Sequence, residues 1–489
     1  MVPFMPSSSP EKELERLLQA LLPETPWVNL VFSVGGFVRD DLLGIESKDL
    51  DLVIEQPSGS EKLSFWIKEQ FSEEVSHPYR IGAAYPIWHL RFLKDIIWKG
   101  QTFKTAGAEV DIADTQREAF QNTGLPEFGT ISQDILRRDF TVNMLLRDLT
   151  SGKIEDPTGV SLSDLREGIL RGHPQVDIHK TFEADPLRMI RVLRFKLKYD
   201  WKIHPEVIEG VKNCRELIQR VSWERIRDEL IVIAEYGRLG SAIEWMDQVG
   251  LLEFIFPEVM SMKGVEQDTL HHSEGDVFVH TLLLLQKANP GIIPQFSALL
   301  HDVGKPQTQT VHLPKKEGEV RRIKFLDHEN VGAKMSEEIL RRLKFENSVI
   351  EKVSKIVRFH LRAHFSKDWS AKAVRKFARD CGEELGDILH VSEIDSLSSY
   401  GLAGLPKENL IPDLRKQLGK AIQIPIRKRT VLTGEEVMGL LNLSPGKSVG
   451  EALLLLQDIE DEYAVRGEPL SSENAIRLLK ERYSERRMK

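Results

Sequence analysis

LVFSVGGFVRDDLLGIESKDLDLVIE, residues 30–55, is the segment from which the architecture of the N-terminal part follows. Its apolar, β-prone start ends at Gly35 and Gly36, and the residues from there to Gly44 have the apolar spacing of a helix. Beyond Gly44, leucine and isoleucine alternate with acidic residues, which is typical of a strand. The segment therefore predicts a strand, a glycine turn, a helix and a second strand.

Two acidic residues, Asp49 and Asp51, stand two positions apart in the predicted second strand. Residues at this spacing share a strand face, so their carboxylates project side by side, about 7 Å apart. This arrangement suits two hard cations held about 4 Å apart, as in nucleotidyl transfer. The glycine turn lets backbone N–H groups approach phosphates, and Arg39 adds a fork-shaped donor. A tight turn before an exposed acidic edge strand is the alternative, and the combined pattern favours a nucleotide site.

The composition is that of an ordinary soluble protein of about three domains. Of the 489 residues, 41% are hydrophobic and 29% charged, and the net charge of −8 means that any nucleic-acid surface must be local. The two cysteines, Cys214 and Cys381, lie outside any metal-ligand spacing, which favours a reduced cytoplasmic location. The N-terminus has no long apolar run, so neither a signal peptide nor a membrane span is expected.

A basic stripe is predicted on the helix that follows Asp185 and Pro186. Asp185 suits a helix N-cap and Pro186 a first turn. Three arginines recur at every third position, without acids between them: Arg188, Arg191 and Arg194. A solvated helix face is one interpretation; the other, which we favour, is that the stripe binds an anionic partner.

Histidine usage changes after about residue 260. His301 and Asp302 are adjacent inside a predicted apolar helix, and burying both without a partner would cost several kcal/mol, which a bound cation relieves. Imidazoles with carboxylates suit a divalent transition metal, although Mg²⁺ or Mn²⁺ is also possible. We interpret His390, in contrast, as an ordinary satisfied histidine.

These motifs together resemble a known family. Residues 35–44, GGFVRDDLLG, followed by the Asp49–Asp51 pair and by RRDFTVN at residues 137–143, resemble the class II tRNA nucleotidyltransferases, which are the CCA-adding enzymes, and the bacterial poly(A) polymerases. The head of this family is similar to that of DNA polymerase beta. The histidine-rich part resembles the HD phosphohydrolase domain of bacterial bifunctional members.

The resemblance implies roles for particular residues. It makes Asp49, Asp51 and Asp111 the catalytic carboxylates, with Asp111 on a neighbouring strand. It gives nucleotide binding to Gly36, Arg39, Arg138, Asp185, Arg188, Arg191 and Arg194. Among these, Arg138 would hold the triphosphate, Asp185 and Arg188 would pair with the incoming base, and the later arginines would reach phosphates. The metal ligands implied are Asp49 and Asp51 in the head, and His280, His301, Asp302, His328, His360 and Asp395 in the HD domain.

One position departs from the family pattern. Ala184 stands where the family often has a glutamate beside the aspartate that pairs with the base. That glutamate would steady Arg188, and Glu183 is rotated about 100° away on a helix. We therefore expect looser base selection than in the family.

The predicted fold class is α+β: a polymerase-beta-like head of mixed sheet and helices, followed by an all-α neck, HD body and tail. The predicted domains are an N-terminal tail and helix (1–27), the nucleotidyltransferase head (28–150), a nucleotide-selecting neck (151–235), the HD body (236–425) and a tRNA-contacting helical tail (426–489). A basic segment at residues 416–429 leads out of the HD body.

The function that the resemblance implies is template-independent addition of C and A to the 3′ end of tRNA from CTP and ATP. Mg²⁺ would serve the head, and a transition metal such as Mn²⁺ or Ni²⁺ would serve an HD phosphodiesterase or phosphatase. A poly(A) polymerase, or an enzyme that adds only CC or only A, remains an alternative. From another class, the chain could be a metal-dependent phosphohydrolase with an RNA-binding head. The sequence leaves the oligomeric state open.

Overall fold

The computed structural model describes residues 9–82, 86–117, 127–268, 272, 275–313, 321–400, 408–422 and 430–488. The chain divides into two compact units, one that ends at Val221 and one that begins at Ser222. This boundary falls within the predicted neck. The five-part division of the chain stays a prediction.

The first unit is built on a mixed sheet. Its strands are β1 Val31–Val34, β2 Leu50–Ile54, β3 Tyr79–Ile81, β4 Ile87–Arg91, β5 Ile96–Trp98, β6 Gln101–Phe103, β7 Glu109–Asp114, β8 Gln116–Arg117, β9 Glu127–Phe128, β10 Leu146–Asp148, β11 Ile154–Glu155, β12 Ile169–Leu170 and β13 Lys202–Ile203. Across the described part of the chain, the largest sheet has seven strands in the order β11-β10-β1-β2-β7-β4-β3. The pair β2–β7 is parallel and its neighbours are antiparallel. The predicted mixed-sheet head is confirmed.

The helices of the first unit surround this sheet and follow it in the chain. They are α1 Pro10–Leu21, α2 Gly36–Leu42, α3 Gly59–Gln70, α4 Ile131–Leu136, α5 Ser161–Glu167, α6 Ile178–Ala184, α7 Arg188–Tyr199 and α8 Pro205–Cys214. The two arginines of the RRD motif come directly after α4 and lead into a 3₁₀ turn, Thr141–Asn143.

Helix α1 is part of the core of the head. Its four leucines and the leucine that follows it are almost fully buried and pack with the apolar face of the central strands: Leu14, Leu17, Leu18, Leu21 and Leu22. On its polar side, Glu15 accepts hydrogen bonds from Ser33 on β1 and from Arg147 on β10, both at 2.6 Å. The N-terminal helix therefore closes one face of the sheet and leaves the other face to the functional residues.

The second unit is almost entirely helical. Its helices are α9 Trp223–Glu235, α10 Leu239–Val249, α11 Leu252–Ile255, α12 Pro257–Met260, α13 Val277–Leu285, α14 Ile292–Leu300, α15 Lys305–Thr308, α16 His328–Arg342, α17 Asn347–Phe359, α18 Ala371–Cys381, α19 Leu385–Ser398, α20 Ile411–Ala421, α21 Gly434–Leu441, α22 Lys447–Val465 and α23 Ser472–Met488. A hairpin of β14 Gln309–His312 and β15 Arg322–Phe325 is inserted between α15 and α16. The predicted helical body and tail are confirmed.

The tail helices pack on the rest of the second unit through a buried ion pair. Arg375 of α18 donates through Nε to Asp461 of α22 at 3.0 Å, and both side chains are buried. Part of the basic segment, residues 423–429, lies outside the described residues. Among the described residues, the helices are all too short or too polar to cross a bilayer.

Candidate nucleotide site and metal centre

The predicted catalytic carboxylates of the head lie at the centre of the mixed sheet. Asp49 comes directly before β2, Asp51 is its second residue, and both line a cavity of about 480 Å³. The parallel register of β2 with β7 places Asp111 directly opposite Asp51. Directly opposed residues on neighbouring strands share a face, so the third carboxylate expected from the sequence lies beside the pair.

The carboxylates form a donor set that suits hard cations. The recessed position of Asp51, with the carboxylates of Asp111 and Asp49 nearby, raises its pKa to about 6, although the Arg138 guanidinium acts in the opposite direction. Carboxylate oxygens are the ligands that Mg²⁺ prefers, and a bound cation would offset their mutual repulsion. These residues therefore fit a divalent metal.

The glycine turn approaches Arg138 closely. Gly35 has a φ of +68°, and a Cβ atom at this position would lie 3.3 Å from Nη1 of Arg138. Arg138 itself is held by Asp134, one helical turn earlier, at 3.0 Å. Gly35, Gly36 and Arg138 line the same cavity as Asp49 and Asp51. Groups that can donate hydrogen bonds to phosphate therefore face the same space as carboxylates that can bind a metal ion.

Arg39 is held in a buried hydrogen-bond network beside the nucleotide cavity. Its guanidinium is buried and donates to Asp40 at 2.7 Å, to Asn143 at 2.5 Å and to Tyr199 at 2.8 Å. Tyr199 also donates to Asp40 at 2.8 Å, which closes the network. Through these contacts Arg39 joins α2 to α7. Two of its five N–H groups remain and it lines the nucleotide cavity, so its predicted phosphate contact stays a prediction.

Arg191 also has a partner within the chain. Its guanidinium donates twice to Asp139 of the RRD motif, at 3.0 and 2.7 Å. Burial opposes ionisation of Asp139, but Arg191 and the amide of Asn143 outweigh it and hold the pKa of this carboxyl well below its usual range. A buried acid therefore offsets the charge repulsion at the centre of the basic stripe. The sequence around the stripe did not reveal this contact.

Arg188 is steadied by the backbone instead of by an acid. Nη1 donates to the carbonyl of Thr181 at 3.0 Å, and Nη2 donates to the carbonyl of Arg137. Ala184 is exposed. Two carbonyl groups therefore fix the plane of the guanidinium in place of the missing glutamate, and the looser base selection expected from Ala184 stays a prediction.

Asp185 lies between α6 and α7 as the sequence predicted. Its carboxylate accepts a hydrogen bond from the N–H of Leu187 at 3.2 Å, but the N-cap of α7 is Leu187 and not, as predicted, Asp185. Arg194 stacks its guanidinium over the ring of Phe195, 4.6 Å from the centroid. Arg188, Arg191 and Arg194 all line the cavity of the carboxylates, so the stripe of α7 faces the catalytic strand.

The second unit brings the predicted HD residues together. His280 lies on α13, Asp395 on α19 and His328 at the start of α16, whereas His301, Asp302 and His360 lie just beyond the ends of α14 and α17. All six side chains are buried. They form two groups whose ligand atoms lie within 4.8 Å of one another, one of His280, His301 and Asp395, the other of Asp302, His328 and His360.

Asp302 connects the two groups. Its Oδ2 lies 3.1 Å from Nε2 of His301, and its Oδ1 lies 3.2 Å from Nε2 of His328. In the first group, Nε2 of His280 lies 3.1 Å from Oδ1 of Asp395. A bridging carboxylate between two sets of imidazoles is a geometry that can hold divalent cations on both sides.

The imidazoles are oriented for metal binding. The Nδ1 atoms of His301, His328 and His360 each contact the carbonyl three residues earlier, at 2.8, 2.8 and 2.6 Å. A carbonyl can only accept, so the proton is on Nδ1 and the lone pair of Nε2 points to the centre. Their Nε2 atoms are buried without a hydrogen-bond partner among the described residues. Burial, with the nearby imidazoles, lowers the pKa of His360 to about 3, so this ring is neutral. The residues fit a transition metal.

Sequence reasoning missed two residues at this centre. Lys305, four positions after His301, is buried and lies 2.7 Å from Oδ2 of Asp302. His364 lies 2.9 Å from Oδ2 of Asp395. The HDVGK run could have indicated Lys305, because Asp302 and Lys305 are three apart, but no local signal marks His364.

A cavity of about 400 Å³ opens beside the metal-type residues. It is lined by Asp302, His328 and Asp395 together with three basic side chains, Lys305, Arg322 and Lys324. The last two belong to the β14–β15 hairpin. Cations next to a metal-type cluster are suited to an anionic, phosphate-bearing ligand.

The remaining predictions on histidine and cysteine agree with the structure. His390 accepts a hydrogen bond through Nε2 from the N–H of Asn289 at 3.2 Å, as expected for an ordinary satisfied histidine. Cys214 and Cys381 are free and buried, and burial raises the pKa of Cys381 to about 12.

Comparison with known families accounts for most of both units. Residues 31–171 match the Poly A polymerase head domain, residues 200–263 match the probable RNA and SrmB-binding site of polymerase A, and residues 283–398 match the HD domain. The first match contains the carboxylates of the head, and the third contains five of the six HD residues.

Several curated relatives match over most of the chain. An A-adding tRNA nucleotidyltransferase of Deinococcus radiodurans is 29% identical over 87% of this chain and 90% of the relative. A CC-adding tRNA nucleotidyltransferase of Thermus thermophilus is 28% identical over 88% and 89%. A multifunctional CCA protein of Pasteurella multocida is 27% identical over 71% and 77%.

Solved structures show the same fold. The Bacillus stearothermophilus CCA-adding enzyme in complex with CTP superposes with a TM-score of 0.62 and 19% identity, over 98% of this chain and 99% of that one. The Thermotoga maritima CCA-adding enzyme complexed with tRNA gives a TM-score of 0.57 and 21% identity, over 95% and 94%.

The fold and the two sites define a nucleotidyltransferase head joined to a chain that carries an HD domain. More particularly, the head matches the Poly A polymerase head domain, and curated relatives that match over most of the chain are tRNA nucleotidyltransferases.

Proposed function

We propose that this protein adds C and A nucleotides to the 3′ end of tRNA, without a nucleic-acid template, from CTP and ATP. The observation that carries the proposal is the single cavity that Asp49, Asp51, Arg138 and Arg188 share. A metal-binding pair, a phosphate donor and a fixed base-reading side chain in one space are what a nucleotidyl transfer without a template requires.

The head residues divide the work. Asp49 and Asp51 would hold divalent cations, Mg²⁺ by the chemistry of their oxygens. When bound there, such ions would supply the charge that favours ionisation of the RNA hydroxyl and departure of pyrophosphate. Arg138 grips the triphosphate, and the Gly35–Gly36 turn gives its backbone access to the phosphates.

Base selection belongs to α7 and the residue before it. Asp185 offers an acceptor and Arg188 offers donors, which match the Watson–Crick edges of cytosine and adenine. The carbonyl groups of Thr181 and Arg137 hold the guanidinium of Arg188 in one plane. Because the carbonyl of Arg137 belongs to the motif that contains Arg138, the base reader and the triphosphate donor are fixed relative to each other.

Arg39 and Asp139 are positioning residues in this scheme. Arg39 ties α2 to α7 through Tyr199, and Asp139 ties the RRD motif to α7 through Arg191. Both contacts keep the nucleotide-reading helix in place over the carboxylates.

Product sequencing tests the proposal. A tRNA transcript that lacks its 3′ end is incubated with Mg²⁺ and CTP alone, ATP alone or both, and the product ends are sequenced. We expect two C residues with CTP and a complete CCA end with both nucleotides. Addition that stops after CC would identify a CC-adding enzyme. Addition only to a transcript that already ends in CC would identify an A-adding enzyme, and a long A tract would identify a poly(A) polymerase. No incorporation under any condition would contradict the proposal.

The metal centre of the second unit supports a second activity, the hydrolysis of phosphate esters. Six buried residues that can bind a metal ion lie beside three basic side chains that can bind phosphate: Lys305, Arg322 and Lys324. A divalent transition metal such as Mn²⁺ or Ni²⁺ suits the imidazoles. Metal analysis of the purified protein, with hydrolysis of 2′,3′-cyclic AMP and p-nitrophenyl phosphate, tests it. Absence of bound metal at millimolar Mn²⁺ and Ni²⁺ would contradict it.

A further inference from the structure

A row of side chains extends from the catalytic carboxylates to the edge of the sheet. The strand registers place Asp51 opposite Asp111, Asp111 opposite His89, and His89 opposite Tyr79. Directly opposed residues lie on one face, so these four side chains share the face that α1 does not cover. We call Asp111, His89 and Tyr79 the acceptor row.

The acceptor row lies on the other side of Asp51 from the nucleotide cavity. Gly35 follows β1 and Arg138 precedes β10, and both strands stand on one side of β2 in the sheet order. β7, β4 and β3 stand on the other side. Among the described residues that line the cavity, Asp49 and Asp51 are present and the acceptor row is not. The catalytic strand therefore separates two surfaces.

The chemistry requires the second surface. In a nucleotidyl transfer, the attacking and leaving oxygens lie on opposite sides of the reacting phosphorus. If the triphosphate lies toward β1 and β10, as the proposed function has it, the RNA hydroxyl must arrive from the side of β7. The acceptor row is the surface that the end of the RNA meets there.

His89 holds the carboxylate of Asp111. Its Nδ1 lies 2.7 Å from Oδ1 of Asp111, and its Nε2 lies 3.9 Å from a carboxylate oxygen of Glu109. The ring is mostly buried, with 14% of the side chain exposed. Its contact fixes the orientation of Asp111 beside Asp51, which makes His89 a positioning residue.

Tyr79 offers a flat apolar surface at the end of the row. Its ring rests on that of His89, with centroids 5.0 Å apart and planes tilted by 48°, and 53% of the residue is exposed. Arg91, two residues after His89 and therefore on the same face, is also exposed and lies 3.6 Å from Glu109. Exposed aromatic rings beside cations on a sheet face are typical surfaces for single-stranded RNA.

We propose that Tyr79 binds the base of the 3′-terminal nucleotide of the acceptor RNA by stacking. His89 positions Asp111 for the reaction of the 3′-hydroxyl of that nucleotide. This inference rests on the proposed function and adds to it the subsite for the RNA end. It assigns no role to residues 83–85 between β3 and β4, which lie outside the described residues.

Kinetics of the Tyr79→Ala variant test the stacking. With a tRNA transcript that lacks its 3′ end, we expect the KM for the RNA to rise about tenfold and the KM for CTP to change less than twofold, because one base loses its stacking partner. Tyr79→Phe keeps the ring and restores the KM for the RNA. Ile97→Ala is the matched control, because Ile97 is exposed on the separate β5–β6 hairpin of the head.

An altered acceptor makes the test specific to the base. A transcript whose last nucleotide lacks its base should bind the wild type about tenfold more weakly, and Tyr79→Ala should then have no further effect. Additive losses would overturn the stacking proposal. Equilibrium binding of both transcripts, followed by fluorescence anisotropy, gives the same comparison without catalysis. Absence of nucleotide addition would thus contradict the proposed function, whereas the binding measurement tests the RNA subsite by itself.

The positioning role of His89 has its own readout. His89→Ala is expected to lower kcat at least tenfold at an unchanged KM for the RNA. His89→Asn, whose amide nitrogen can take the place of Nδ1, should recover most of that loss. An equal kcat for wild type and His89→Ala, or a loss that asparagine does not recover, would overturn this role.

Discussion

Replacement of Asp139 by asparagine tests how the nucleotide-reading helix is held on the head. Asp139 accepts two hydrogen bonds from Arg191, one from the amide of Asn143 at 2.9 Å and one from the N–H of Phe140 at 2.8 Å. Removing the charge of a buried carboxylate, with Arg191 one-third exposed, costs up to about 3–5 kcal/mol. Asparagine keeps one acceptor, worth about 1 kcal/mol. We therefore expect Asp139→Asn to lower the unfolding free energy of the first unit by about 2–4 kcal/mol at pH 7.

The pH dependence of this loss follows from the pKa of Asp139. Because the folded state holds this pKa well below its usual range, the stabilisation is fully present above the unfolded value of about 4. It is lost as the pH falls through the lower, folded value. The difference between wild type and Asp139→Asn should therefore be constant from pH 5 to 8 and shrink below about pH 4.

Methionine oxidation by peroxide in increasing urea measures this difference unit by unit. Met144 and Met189 are fully buried in the first unit, and Met262 is fully buried in the second. Asp139→Asn should lower the urea midpoint at the first two methionines and leave that of Met262 unchanged. Asp200→Asn, the same chemical change at the exposed end of α7, is the control. Equal midpoints for wild type and Asp139→Asn at pH 7 would refute the reasoning.

Three further variants test the separation of the two sites, base selection and the hydrogen-bond network of Tyr199. His301→Ala is expected to abolish metal binding and phosphate-ester hydrolysis while sparing nucleotide addition, which metal analysis and the two assays measure against His390→Ala; loss of addition in the folded variant would contradict it. Ala184→Glu is expected to change misincorporation of UTP and GTP less than twofold, because backbone carbonyls already hold Arg188; a clear gain in fidelity would restore the role of the missing glutamate. Tyr199→Phe removes two hydrogen bonds and should lower the unfolding free energy of the first unit by about 1–3 kcal/mol, measured by urea unfolding; an unchanged midpoint would contradict the network.

Local patterns predicted the elements that carry the chemistry. The strand, glycine turn, helix and second strand of residues 30–55 are present, because apolar period and glycine placement depend on neighbours in the chain. His301 and Asp302 could be chosen because a buried histidine and aspartate need a partner, and the family resemblance supplied the other four HD residues. The helix end was less accurate: His301 and Asp302 lie just beyond α14 and not within a helix.

Contacts between distant residues could not be predicted from the sequence. The sequence predicts a phosphate contact for Arg39 but not its hydrogen bonds to Asn143, 104 residues later, and to Tyr199. Arg191 reads as a free cation until Asp139, 52 residues earlier, pairs with it. Such pairs depend on how strands and helices meet in space, and charge and spacing within one element do not encode that.

The measurement that tests the account most directly is the single-turnover rate of CMP incorporation by Asp51→Asn. The change is nearly isosteric, and the side chain opens onto the nucleotide cavity instead of packing in the core, so the fold and CTP binding should persist. Loss of a metal ligand removes several kcal/mol of transition-state stabilisation, and we expect the rate in Mg²⁺ to fall about a thousandfold or more. Asp49→Asn should behave in the same way. A rate within tenfold of the wild type for either variant would contradict the assignment of the head carboxylates as the centre of nucleotide addition.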